Sequence, residues 1–150
     1  MKNHHPKGFT LIELLIVIGL IAVIAGVVIV LLNPARQFAN ARNSSRWSHI
    51  SALLGNIQTN AAENRGTFTC AAGIIPTSTT AISAAGYDLC DCVVPTYAAA
   101  LPFDPSAAGA GYTDCNTYYT GYSISRNPTT GQITIAAPAA ELTQTISVTQ

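Results

Sequence analysis

The sequence predicts an α+β chain, a long N-terminal helical spine packed on a small antiparallel β-sheet head. Three observations predict it. From Phe9 to Leu32 the residues are apolar almost without a break, Glu13 being the only charged one. From Ala35 to about Asn64 apolar residues recur at spacings of three and four, the period of a one-sided helix. Beyond Thr67 that period gives way to short alternating runs bounded by Pro, Asn and Gly, which read as strands and turns.

The first run, as a helix rising 1.5 Å per residue, is about 36 Å long, enough to cross a bilayer core of about 30 Å. It is preceded by Met1 to Gly8, which carries Lys2 and Lys7 but no apolar run of its own. A conventional signal peptide carries its own apolar region, which is removed with it; Met1 to Gly8 has none. A carboxylate at membrane depth costs at least about 2.5 kcal/mol and is a functional hypothesis by default, so Glu13 needs a partner. Gly19 and Gly26 inside the run are small residues of the kind that let helix backbones approach. Asn33-Pro34 punctuates the helix, and because proline removes a backbone donor, a kink at Pro34 with continued helix is expected.

The amphipathic half places Trp47, Ile50, Leu54, Ile57 and Ala61 on one stripe, widened by Leu53. Trp47 reads as the anchor between stalk and head. Arg42 and Arg46 are i,i+4 neighbours that repel unless a carboxylate from elsewhere engages them. Arg65-Gly66 closes the helix with a cation and a glycine stop. Thr67 to Pro102 carries few signals, and Leu101-Pro102-Phe103-Asp104-Pro105 is a rigid turn sequence. Gly121 to Arg126 and Gln132 to Ala136 alternate at period two around Asn127-Pro128-Thr129-Thr130-Gly131, predicting a hairpin. Thr143 to Gln150 alternates again and reads as a last strand or a frayed end.

The chain is 49% hydrophobic and only 9% charged, with zero net charge, so no nucleic-acid or other global electrostatic partner is implied. The charges are unevenly spread. Asn33 to Gly66 holds four arginines against Glu63, whereas Thr67 onward holds Arg126 against Asp88, Asp91, Asp104, Asp114 and Glu141. That asymmetry suits a basic stalk stacking on an acidic head of another subunit, or simply a solvated face. All four cysteines, Cys70, Cys90, Cys92 and Cys115, follow the apolar run, which reads as two disulfides in an oxidising compartment. A Cys90–Cys92 bridge is strained, and shorter loops favour Cys70–Cys90 with Cys92–Cys115. Each closes about 20 residues and stabilises by roughly 3 kcal/mol. That matters in a head of about 85 residues with a thin core. A zinc site is the alternative, disfavoured by the Cys90-x-Cys92 spacing.

Gly8-Phe9-Thr10-Leu11-Ile12-Glu13-Leu14, after a short basic leader, resembles the processing site of type IV prepilins and the related pseudopilins. The resemblance is tight over the first third of the chain. It implies cleavage between Gly8 and Phe9 and N-methylation of Phe9 by a membrane prepilin peptidase, followed by assembly of the helices into a filament core. It divides the chain into a leader (1–8), a transmembrane and filament-core helix (9–32), an amphipathic continuation (33–66) and a disulfide-bonded head (67–150). The implied partners are copies of the chain, the peptidase, an inner-membrane assembly platform and membrane lipid before assembly. The implied location is the bacterial inner membrane with the leader in the cytoplasm, then a surface or periplasm-spanning filament. Cleavage makes the Phe9 amine a cation at membrane depth, which the Glu13 carboxylate of a staggered neighbour, or of its own helix four residues on, can neutralise.

Enzyme chemistry is nearly absent. No Gly-rich phosphate loop and no metal-ligand cluster of convincing spacing occurs; His49 is the only histidine beyond the leader, and no cofactor is implied. The aspartates, Asp104 and Asp114 among them, are weak calcium candidates by analogy with major type II secretion pseudopilins, and they do not fit a compact loop. Two function classes remain: a structural subunit of a pilus or type II secretion pseudopilus, and a membrane-anchored binding module that does not polymerise.

Overall fold

A computed structural model describes residues 8–150; the leader residues Lys2 and Lys7 lie outside them. The chain forms two compact units, Met1–Phe38 and Ala39–Gln150.

In the first unit, α1 (Leu11–Leu32) is a 22-residue helix with no buried residue. It is the one described helix long and apolar enough to cross a membrane. Thr10 caps it from an extended conformation, and its side chain accepts a hydrogen bond from the Glu13 backbone. The helix ends at Asn33, whose φ of 41° is left-handed. Pro34 then opens α2 (Pro34–Glu63), with the Arg36 N–H donating to the Asn33 side chain at 3.3 Å. The helical run is therefore interrupted at Asn33, with proline at the first position of the next helix, where its missing N–H costs nothing.

The second unit packs α2 from Ala39 onward against a five-stranded antiparallel sheet. The strands are β1 (Thr80–Ser83), β2 (Gly111–Asp114), β3 (Thr117–Arg126), β4 (Ile133–Ala136) and β5 (Ser147–Thr149), with a single turn of helix, α3 (Cys90–Val93), after β1. The sheet order is β1-β3-β4-β5, with β2 also paired to β3. The hairpin read from the sequence is β3–β4, Arg126 opposite Ile133, closed by Asn127 N–H to Gln132 O at 2.8 Å. The C-terminal alternation is β5. Strands β1 and β2 and α3 lie where the sequence gives little alternation.

Ile50, Leu53, Leu54 and Ile57 of α2 join Ile82, Leu89, Tyr122, Ile124, Ile135 and Ile146 in one core. The buried positions of α2 are Ala39, Asn43, Arg46, Ile50, Leu53, Leu54, Ile57 and Asn60. The stripe therefore repeats every three or four residues as expected, but with polar members. It passes through Arg46 and Asn60 instead of Trp47 and Ala61. Trp47 is 42% exposed, which corrects its role as the anchor of the head; Arg46, fully buried, takes that place. The helix stops with Arg65 and Gly66 both left-handed and the Gly66 N–H bonded to Ala61 O at 2.8 Å.

Both disulfides form, pairing Cys70 with Cys92 and Cys90 with Cys115. This corrects the expected Cys70–Cys90 and Cys92–Cys115, and with all four sulfurs bridged it removes the zinc alternative. The cause is α3. Residues two apart on a helical turn point to nearly opposite sides, so buried Cys90 reaches Cys115 beside β2 while half-buried Cys92 reaches Cys70. Loop length differs too little between the pairings to oppose that geometry.

Candidate functional site

At the N-terminus, Gly8 and Phe9 precede the helix, and Phe9 is 79% exposed. A Cβ added at Gly8 meets nothing within 4 Å among the described residues. A Cβ added at Gly19 or Gly26 likewise meets nothing within 4 Å among the described residues. The Glu13 carboxylate turns back on the start of its own helix, accepting from Thr10 N–H at 3.5 Å and from Thr10 Oγ1 at 3.3 Å. The Glu13 N–H in turn donates to Thr10 Oγ1 at 3.3 Å. This reciprocal cap satisfies donors at the helix start and places a negative charge at its positive end. Thr10-x-x-Glu13 is the sequence spacing of such a cap, so the residue that needs a cation at membrane depth also has a local role in its own helix. These bonds are long, so they hold the carboxylate without consuming its capacity to accept a stronger donor.

In the second unit the charged residues of α2 are engaged inside the same chain. Arg46 donates from Nε and Nη2 to the two carboxylate oxygens of Asp104 at 2.7 and 3.0 Å, both side chains being fully buried. It also reaches Asn43 Oδ1 at 2.7 Å, Ser106 Oγ at 2.6 Å and Glu141 at 3.0 Å. Arg42 makes a second two-point contact with Glu141, 2.6 Å for each bond, and Asn43 bonds the Glu141 backbone in both directions. One helix face thus ties down the Asp104 loop and the segment before β5. Two of the four basic residues and two of the five acidic ones in that asymmetry are thus paired within the subunit.

Gly121 makes room for this arrangement. Its φ is 76°, and a Cβ there stands 2.8 Å from the Asp104 Cβ. Only glycine fits both demands. It sits at a register shift between β1 and β3, and the Asp104 N–H closes onto Thr120 O at 2.8 Å. Asp104 further accepts from the N–H groups of Ser106 and Ala107. Its oxygens, weak calcium candidates from the sequence, therefore face a guanidinium and backbone donors. Asp114 separately accepts from the Asn116 N–H. Among the described residues no three His, Cys, Asp or Glu side chains converge on a metal position. His49 Nδ1 lies 2.8 Å from the Tyr122 hydroxyl, giving a buried phenol its polar partner.

Burial raises the Asp104 carboxyl, but the bonds from Arg46 and the Ser106 and Ala107 backbone outweigh it and hold it below the usual range. Hydrogen bonds from Arg42 and then Arg46 bring Glu141 down to about 2 from 4.5. Because both carboxyls bind protons more weakly folded than unfolded, their pairing contributes stability fully above about pH 4.5. That contribution is lost as pH falls toward about 2. The urea midpoint of the oxidised chain is expected to drop between pH 5 and 3, with a shallower drop in Glu141→Gln. A midpoint constant over that interval in the wild type would count against the network.

No curated protein and no solved structure gives a significant match to the chain. One family model matches, the prokaryotic N-terminal methylation motif, over residues 3–29. That span takes in Gly8, Phe9, the Thr10–Glu13 cap and most of α1. By this match the chain carries the N-terminal signature of type IV pilins and pseudopilins.

Proposed function

We propose that this chain is a structural subunit that polymerises through α1 into a type IV pilus or pilus-like filament. Cleavage between Gly8 and Phe9 and methylation of Phe9 by a prepilin peptidase precede assembly. The observation that carries this reading is the matched motif on a helix with no buried residue. About 33 Å of apolar helix needs lipid or other helices around it, and its only charge is Glu13. Residues 1–8 serve as leader, 9–32 as membrane anchor and then filament core, 33–66 as the continuing helix and 67–150 as the head. Before assembly the subunit rests in the inner membrane, leader in the cytoplasm, where an assembly platform extracts it. In the filament the Phe9 ammonium of one subunit meets the Glu13 carboxylate of a neighbour, each removing the other's desolvation penalty.

Mass spectrometry of sheared surface or periplasmic filaments should find this chain beginning at N-methylated Phe9. Assembled protein retaining Met1 would overturn the processing step. Wild-type cells that insert the subunit yet yield no filament would leave the anchored binding module in its place. A filament confined to the periplasm would assign it to the secretion branch of the same family.

A further inference from the structure

A cavity of about 300 Å³ opens in the second unit between the end of α2 and the β3–β4 hairpin. Its apolar walls are Phe68, Ile74, Ile75 and Ile133, and Arg126 lines it as the single cation. The Arg126 Nε is buried and has no hydrogen-bond partner, and Arg126 makes no ion pair among the described residues. Ile74, on the same rim, is 78% exposed. Arg126 as a whole is half-buried, but a buried N–H without an acceptor is unfavourable, and beside apolar walls a guanidinium suits a planar, two-oxygen acceptor.

The chain itself offers such an acceptor. Past Thr67, Arg126 is the only cation against five carboxylates. Asp104 and Glu141 are held by arginines, Asp88 accepts from the Tyr118 hydroxyl and the Cys90 N–H, and Asp114 accepts from the Asn116 N–H. Asp91 alone has no hydrogen bond or ion pair among the described residues, and it is exposed. Its backbone is unusually constrained, since the cysteines on either side are bridged to different partners, Cys90 to Cys115 and Cys92 to Cys70. A charge fixed this way loses little freedom on docking.

We propose that the Arg126 cavity is a socket for a carboxylate of a second copy of this chain, and that Asp91 is the carboxylate it receives. Two different patches of one chain meeting in this way form a heterologous contact, the type that propagates into an open helical assembly when its rotation does not close. The proposal rests on the polymerisation reading and adds a head-to-head contact to the helical core.

Charge exchange tests it. Full-length Arg126→Glu, Asp91→Arg and the double variant are expressed, and filament yield is normalised to membrane-inserted subunit with no free thiol, so that misfolded protein is not counted. Each single reversal is expected to lower the yield about fivefold or more, and the double to restore it to within about twofold of wild type. The neutral pair Arg126→Gln and Asp91→Asn is expected to give smaller losses, independent of any repulsion introduced by reversal. Wild-type yield in both single reversals overturns the contact while leaving polymerisation intact. A loss in Arg126→Glu that Asp91→Arg does not relieve also overturns it. A wild type without filaments overturns both readings together.

Discussion

Replacing Arg46 with alanine is expected to destabilise the Ala39–Gln150 body by about 3–5 kcal/mol, the cost of leaving a buried charge without its partner. Asp104 keeps its bonds to the Ser106 and Ala107 N–H groups, but its guanidinium is gone and the site is closed to bulk water. Asn43 Oδ1 and Ser106 Oγ lose the same donor. In urea, with a slope of about 1–3 kcal/mol/M, the midpoint should fall by on the order of 2 M in the detergent-solubilised, oxidised chain. Arg46→Lys should recover only part of this, since a point charge cannot contact Asp104 at two places and reach Asn43, Ser106 and Glu141 as well. Asp104→Asn should cost nearly as much as Arg46→Ala, and the double variant less than the sum, because the two singles break the same contact. A midpoint within about 0.3 M of wild type for Arg46→Ala would mean that the pairing does not organise the body.

The same residue marks where the sequence was legible and where it was not. A stripe at three-four spacing on α2 is visible, but counting only apolar residues draws it through Trp47 and Ala61. The buried line runs one residue earlier, through Arg46 and Asn60. Arg46 is buried because Asp104, 58 residues away, is brought to it, and no local pattern encodes a partner at that distance. The β3–β4 hairpin was readable because its turn residues and its alternation lie side by side. Strands β1 and β2 were not, being four residues each and held by pairing to β3 more than by their own propensity. For the cysteines, parity and position gave two bridges, while the partners depend on a single helical turn at Cys90–Val93. At the N-terminus the motif is legible as a contiguous run, and the Thr10–Glu13 cap is legible in its own spacing.

That cap sharpens the test of Glu13. In the free subunit the carboxylate serves its own helix through Thr10; in the filament it is proposed to neutralise the Phe9 ammonium of a neighbour. Glu13→Gln separates the two, since glutamine can close the same cap but carries no charge. Glu13→Val removes both cap and charge. Membrane insertion should survive either change and improve slightly, because a charge at membrane depth is costly. Loss of the cap contributes on the order of 1 kcal/mol, too little to abolish a helix of 22 residues in a lipid surround. Assembly faces a larger penalty, since a neighbour's ammonium is left unpaired at about 3–5 kcal/mol, which is on the order of a hundredfold or more in equilibrium terms. Sheared filament per inserted subunit should therefore fall steeply in Glu13→Val and less in Glu13→Gln, whose amide oxygen still accepts a hydrogen bond from the ammonium. If capping were the only role, glutamine would assemble like the wild type and only valine would be impaired. If Glu13 had no part in assembly, valine would give wild-type yield, and the charge-pairing account of this filament would fall.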